Sequence, residues 1–181
     1  MKSASITLLA LIAALGCGVH AADLRPSAAF IAEGGVSIHG DYSVAAGVSW
    51  PWTWTRTSHS GEWTATTEAY VSHWNSRVPG ERLSFTQVGV IPVFRYRFDH
   101  GRSDWFADAG IGISYMDRLY RRQTKQFSTR FNFVDVVGLG FNFGDQRKHE
   151  VGLRVAHISN AGLKRPNPGE NFLQLRYGRS F

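Results

Sequence analysis

The chain is poor in the residues on which many scaffolds depend. Of 181 residues one is cysteine, two are methionine and six are proline. A lone cysteine excludes a disulfide-stapled scaffold and a cysteine-rich zinc site. Charged residues, at 19%, are too few for a coiled coil, and aromatics, at 13%, are too many for a disordered chain. Long apolar runs are missing except for one at the N-terminus, so a bundle of membrane-crossing helices, which needs several runs of about 20 residues, is excluded. A length of this order favours a single domain.

The one apolar run reads as an export signal. Lys2 supplies the positive start, Ile6 to Leu15 form the apolar stretch, and Val19-His20-Ala21 places small residues at the −3 and −1 positions. Cleavage is expected after Ala21, leaving residues 22–181 as the mature domain. Ala14-Leu15-Gly16-Cys17 lacks leucine at the third position before the cysteine, so Cys17 is expected to leave with the signal, not to carry a lipid.

Beyond Ala22 no helical spacing is sustained, and almost everything alternates with period two. Tyr42, Val44, Ala46, Val48, Trp50, Trp52 and Trp54 share one face, against Ser43, Ala45, Gly47 and Ser49. The same pattern recurs around Trp63–Val71, Val88–Phe98, Trp105–Tyr115, Phe131–Phe143, Val151–Val155 and Leu173–Phe181. With a first strand near Pro26 to Val36, the count is eight. Segments of about 10 residues match the length that crosses a bilayer as a tilted strand. The apolar faces end in Trp, Tyr and Phe, as an interfacial girdle would. The opposite faces carry Gly, Ser, Asn, Arg and Glu, which suits a small lumen filled by side chains. A soluble barrel shares this alternation. The tryptophan clusters at strand ends, the charge on the glycine-rich faces and the terminal Phe181 favour an all-β, eight-stranded antiparallel transmembrane barrel. Both termini are then expected in the periplasm. Short turns at Ser58–Gly61, Asp99–Ser103 and Gly144–Arg147 fall on that side. The segments near His39, Asn75–Glu81, Met116–Ser128 and Ser159–Asn171 become external loops.

The informative residues break the pattern. On the seventh strand Val151, Leu153 and Val155 face lipid, and the same parity continues to His157 and Ser159. An imidazole and a hydroxyl thus emerge on the outer surface, their Cα atoms about 6.6 Å apart. That pairing suits a serine nucleophile with a histidine base, or a merely polar rim. If the Gly144–Arg147 turn closes the hairpin, Phe143 pairs near His149 and Asp135 falls beside or diagonal to His157. Asp135 is the one acid in its strand's aromatic stripe, where an unpaired carboxylate is costly.

The segment His157-Ile158-Ser159-Asn160-Ala161-Gly162, followed by Lys164-Arg165-Pro166-Asn167 and then Gly169-Glu170, resembles the active-site pattern of the outer-membrane lipid A 3-O-deacylase (PagL) family. The Phe133-x-Asp135 stretch, the leader and the strand layout extend the resemblance over most of the mature chain. The resemblance implies a serine esterase that removes the acyl chain at the 3 position of lipid A at the outer-leaflet side of the bacterial outer membrane and releases a 3-hydroxy fatty acid. By the same resemblance Ser159 is the nucleophile, His157 the base, and Glu170 the acid orienting it. Backbone N–H groups near Asn160 and Gly162 form the oxyanion hole. Glu170 follows Gly169 directly, without the intervening residue of the family pattern, so Asp135 competes for the orienting role.

No metal or other cofactor is expected, since His157 has no partner at a metal-ligand spacing. His39, His59, His73, His100 and His149 are scattered through loops and turns. Loop cations, Lys164 and Arg165 foremost, suit the phosphates of lipopolysaccharide, in keeping with a net charge of +6. Nucleic acid is not an expected partner, because the aromatics lie apart from the charge. The oligomeric state is open, a homodimer included. Two rival functions share these features: a non-catalytic adhesin or structural barrel, and an outer-membrane phospholipase.

Overall fold

The computed structural model describes residues 27–181. The expected leader, residues 1–21 with Cys17, and Pro26 lie outside the described residues. In chain order the strands are β1 (Ala29–Ser37), β2 (Tyr42–Thr57), β3 (Gly61–Val78), β4 (Glu81–Phe98), β5 (Trp105–Met116), β6 (Arg121–Arg122), β7 (Lys125–Gln126), β8 (Phe131–Phe143), β9 (His149–Ser159) and β10 (Glu170–Ser180). Eight of these close into one antiparallel barrel, and β6 and β7 form a separate small hairpin. Closure runs from Ala29 opposite Ser180 to Ser37 opposite Phe172. The seam is sealed at one rim by Phe181, whose N–H bonds the Ala28 carbonyl and whose ring packs 4.7 Å from that of Phe30.

A closed ladder leaves no strand edge, which is the condition for placing sheet in hydrocarbon. The outer wall meets that condition in composition too. Val44, Trp105, Ile111, Val137, Leu139, Leu153 and Leu175 are all exposed on it, Ile111 to 69%. Such a face is unsuited to water and suited to lipid. The alternation read from the sequence is thus the alternation of the wall, strand by strand.

Two details differ from the expected layout. Asn75–Glu81 is not a loop: the β3–β4 ladder continues from Asn75 opposite Ser84 to Val78 opposite Glu81. Only Pro79 and Gly80 turn, with Gly80 at φ +82. A glycine at positive φ allows so tight a reversal. In β2, the pairing jumps from Pro51–Thr66 to Thr55–Thr64. Residues 52–54 therefore oppose a single residue at a bulge, where a proline without an N–H is tolerated. Trp52 and Trp54 both stay outside, each edge-on to Phe94 at 5.9 Å.

The lumen is filled in two layers. Nearer the rim that carries both termini lies an ion network. Arg154 donates to Glu68 (2.8 Å), Glu33 (3.1 Å) and Asp108 (3.2 Å), and Arg176 to Glu150 (2.9 Å), Glu33 (3.0 Å) and Glu68 (2.9 Å). Arg95 joins Glu150 (2.7 Å) to Asp108 (3.4 Å). Toward the opposite rim the filling is apolar: Trp74, Phe85, Ile91, Phe172, Met116, Tyr120 and Phe127 pack together. Tyr120 and Phe127 flank the β6–β7 hairpin, which tucks into the barrel mouth as a plug. The polar lumen that the glycine-rich faces suggest holds only for the layer nearer the termini. Near that rim the inward Trp74 and Phe85 stand between polar outward neighbours, His73 and Asn75 on β3 and Ser84 and Thr86 on β4.

The ionic layer yields a direct expectation. Arg154→Met strands carboxylates inside the wall, and breaking one partner of a buried ionic set costs about 3–5 kcal/mol. Urea unfolding in detergent, followed by tryptophan fluorescence and by the heat-dependent gel mobility of the folded barrel, should show a lowered midpoint.

Candidate active site at the loop rim

The strand ends bring three outward side chains into one row. The β8–β9 register pairs Phe143 with His149 and Asp135 with His157. The β9–β10 register pairs His157 with Asn171. His157 thus stands between Asp135 on one side and Asn171 on the other. Ser159 lies one step nearer the rim, opposite Phe133. Directly opposed side chains on one face have Cβ atoms about 4.5–5.5 Å apart.

The imidazole is held by its Nδ1, which lies 2.6 Å from Asn171 Oδ1. An amide oxygen only accepts, so Nδ1 carries the hydrogen and Nε2 is left with the free lone pair. Gly169 leans on the other edge of the ring. A Cβ there would stand 2.8 Å from His157 Cε1, and the residue sits at φ +59. Glycine is therefore required twice over at this position, by backbone conformation and by space. The Gly169 carbonyl is tied down by the Lys125 ammonium at 3.2 Å. Among the described residues no direct hydrogen bond joins His157 to Ser159. Hydrogen bonds of this kind commonly tighten only when substrate is bound.

Ser159 is 8% exposed. Its Oγ accepts from the Ala161 N–H at 3.4 Å. The two amides expected to form the oxyanion hole are otherwise engaged: Asn160 N–H donates to Asn167 Oδ1 (3.0 Å) and Gly162 N–H to Asn160 Oδ1 (3.0 Å). The Asn160 side chain also donates to Ser128 Oγ (2.9 Å) and the Lys164 carbonyl (2.8 Å). Asn160 is buried and braces the turn. The amide beside the hydroxyl is that of Ala161, between them. Lys164 and Arg165 are exposed on the same loop.

Glu170 is not brought to His157. It is fully buried and points into the lumen. Its Oε2 accepts from the Tyr120 hydroxyl (3.0 Å), and its Oε1 lies 3.2 Å from His39 Nδ1. Lys125 Nζ stands 3.8 Å away. The cause is parity. Leu173 and Leu175 face outward, so Asn171 does as well and Glu170 does not. That signal was already in the sequence, since the same alternation that put His157 outside puts Glu170 inside. Asp135 shares the outward row, half-buried, though Asn171 is the group that bonds the imidazole.

Behind the row, Tyr120 is the hub of the plug. Its hydroxyl also contacts Asp41, and Arg122 lies 3.6 Å from that carboxylate. Burial, with the Asp41 hydrogen bond and the nearby Glu170 charge, pushes the phenol well above the usual tyrosine range. It therefore stays protonated as a donor. His39, one of the histidines scattered through the loops, caps this hub.

An eight-stranded barrel with a stoppered lumen is not a pore. Its chemically usable side chains surface on the lipid-facing wall at one rim, which makes it a membrane-embedded enzyme barrel. Comparison with known proteins narrows the class. The profile of the Lipid A 3-O-deacylase (PagL) family matches residues 40–180. The chain is 34% identical over 160 residues to Lipid A deacylase PagL of Bordetella bronchiseptica, covering 82% of this chain and 84% of that one. With Lipid A deacylase PagL of Pseudomonas aeruginosa it shares 33% identity over 174 residues, 93% of this chain and 94% of that one. A crystal structure of the outer membrane enzyme PagL superposes with a TM-score of 0.73 at 28% identity, over 84% of this chain and 99% of the other. The chain belongs to the PagL family of lipid A 3-O-deacylases.

The hub carries a stability expectation. Tyr120→Phe leaves Asp41 and Glu170 buried without their shared donor, at a cost of about 1–3 kcal/mol. Urea titration in detergent should show a lowered midpoint with the folded gel mobility retained.

Proposed function

We propose that this chain hydrolyses the ester-linked acyl chain at the 3 position of lipid A, in the outer leaflet of the bacterial outer membrane, with Ser159 as nucleophile and His157 as base. One observation carries the reading: His157 and Ser159 share the outward parity of β9, whose apolar residues form the outer wall, at the rim where the longer connections gather. An acyl ester in the leaflet can reach that wall and cannot reach the stoppered lumen. The rim bearing the termini has the short connections, so it faces the periplasm and the loop rim faces outward.

The chemistry follows from the geometry. Ser159 Oγ attacks the ester carbonyl carbon while its proton passes to His157 Nε2, the nitrogen that Asn171 leaves unoccupied. The carbonyl oxygen becomes an oxyanion beside the Ala161 N–H. Collapse breaks the bond to the 3-position oxygen of the sugar, which takes the proton from the imidazolium. Water, deprotonated by His157, then attacks the acyl-serine carbonyl; collapse breaks the bond to Ser159 Oγ, which takes the proton back from the imidazolium, and a 3-hydroxy fatty acid is released. Lys164 and Arg165 are placed to hold phosphate at the head group. A shallow apolar groove over β2–β5 reaches Phe131, two residues from the Phe133 that pairs with Ser159, and offers cover for acyl chains. One barrel carries every group these steps use, so a homodimer is not required.

Ser159→Ala and His157→Ala should each lower acyl release by about 10⁴-fold or more while the barrel keeps its folded mobility. Mass spectra of lipid A incubated with each variant read this out, and loss of the 3-position chain at the wild-type rate by Ser159→Ala would refute the assignment. Phospholipid vesicles in parallel test the phospholipase alternative, which predicts equal or faster cleavage of those. Gly169→Ala, which drives a methyl group into the imidazole, should cost roughly a hundredfold in kcat, measured in the same assay.

A further inference from the structure

The outward row raises a question that the nucleophile and base leave open, namely what orients the base. In a Ser-His-acid triad one carboxylate does two things. It fixes the ring and its tautomer, and it stabilises the imidazolium that forms in the transition state. The hydrogen-bond partner of His157 Nδ1 here is the neutral amide of Asn171 at 2.6 Å.

We propose, building on the assignment of Ser159 and His157 above, that Asn171 is the positioning residue of the active site, so that the third member of the triad is an uncharged amide. Three observations support this. Asn171 is the register partner of His157 on β10 and shares its outward face. Its place is held from beneath, because its backbone N–H donates to Glu170 Oε1 at 3.3 Å, and Glu170 is itself fixed by Tyr120 and His39. The acid that the sequence pattern favours for the role is thereby committed to the lumen, on the other side of the wall. Asn171 acts only through His157 and touches no reacting atom.

The groups that face His157 define what a neutral third member means for pH dependence. From β8 comes Asp135, opposite it in the ladder. From β10 comes Asn171. From the loop comes Gly169, whose carbonyl accepts from the Lys125 ammonium at 3.2 Å. Ser159 is on its own strand, and Glu170 faces away into the lumen. Among the described residues Asp135 is therefore the one carboxylate on the imidazole's own face, and it is not the group that bonds Nδ1. Replacing the amide by a carboxylate at position 171 adds a charge in direct contact with the ring and favours the imidazolium. The acid limb of the activity profile then moves to higher pH, because the base must lose that proton before it can act.

The test uses the full mature chain in detergent with lipid A as substrate and compares wild type, Asn171→Ala, the isosteric Asn171→Asp, and Ser159→Ala. The expected result for Asn171→Ala is a kcat at least about tenfold down with KM within about twofold, since a freely rotating ring is a poorer base at unchanged binding. Asn171→Asp is expected to remain active, with the acid limb of kcat/KM raised by about one pH unit. The Asp variant preserves shape, so its profile decides the matter even if the Ala variant does not fold. A kcat within twofold of wild type for Asn171→Ala, or an unmoved acid limb for Asn171→Asp, overturns the role of Asn171 while leaving Ser159 and His157 in place. Activity retained by Ser159→Ala would instead remove the reading on which the inference rests.

Discussion

Closure of the hydrogen-bond ladder between β1 and β10 is the constraint on which the rest of this molecule depends. A backbone amide has no partner in hydrocarbon, so a sheet in a bilayer has to consume its own edges. Once it does, every side chain has only two places to go, and a shift of one residue exchanges them. The ion network of Arg154, Arg176 and Arg95 with Glu33, Glu68, Asp108 and Glu150 is possible because inward positions are shielded from lipid. The aliphatic wall is possible because outward positions are shielded from those charges.

The same two-sided logic explains how a row of polar side chains can sit on a greasy surface. The outward row of Asp135, His157 and Asn171 is supported from within the lumen, where Tyr120, Glu170 and His39 form a hydrogen-bonded hub directly behind it. Adjacent residues on β10 link the two faces: Glu170 inside belongs to the hub, and Asn171 outside holds the imidazole. The β6–β7 hairpin serves both sides. Tyr120 and Phe127 fill the mouth, and Lys125 and Ser128 tie down the carbonyls of Gly169 and Lys164 in the loop that follows Ser159. Stability of the plug and placement of the His157 ring are thereby parts of one structure.

What the alternation could not convey is equally specific. Periodicity says which face a residue takes, not which residue stands opposite it across a turn of several residues. The eleven residues between Ser159 and Asn171 left open whether Glu170 or Asp135 meets His157. The β9–β10 register answers with Asn171. The braces on the turn after Ser159, with Asn160 and Gly162 amides bonded internally, come from side chains far apart along the chain, such as Ser128 and Asn160. No local pattern announces them.

By itself, then, the sequence determined the number of barrel strands, the wall and lumen faces, and the outward parity of His157 and Ser159. Those follow from a period of two and the cost of a polar group in lipid, both of which are local. The tertiary structure alone decided the partners: the plug in the mouth, the burial of Glu170 among Tyr120 and His39, and the contact between His157 and Asn171. Partners depend on strand register and loop closure, and these are settled by the packing of the whole barrel at once.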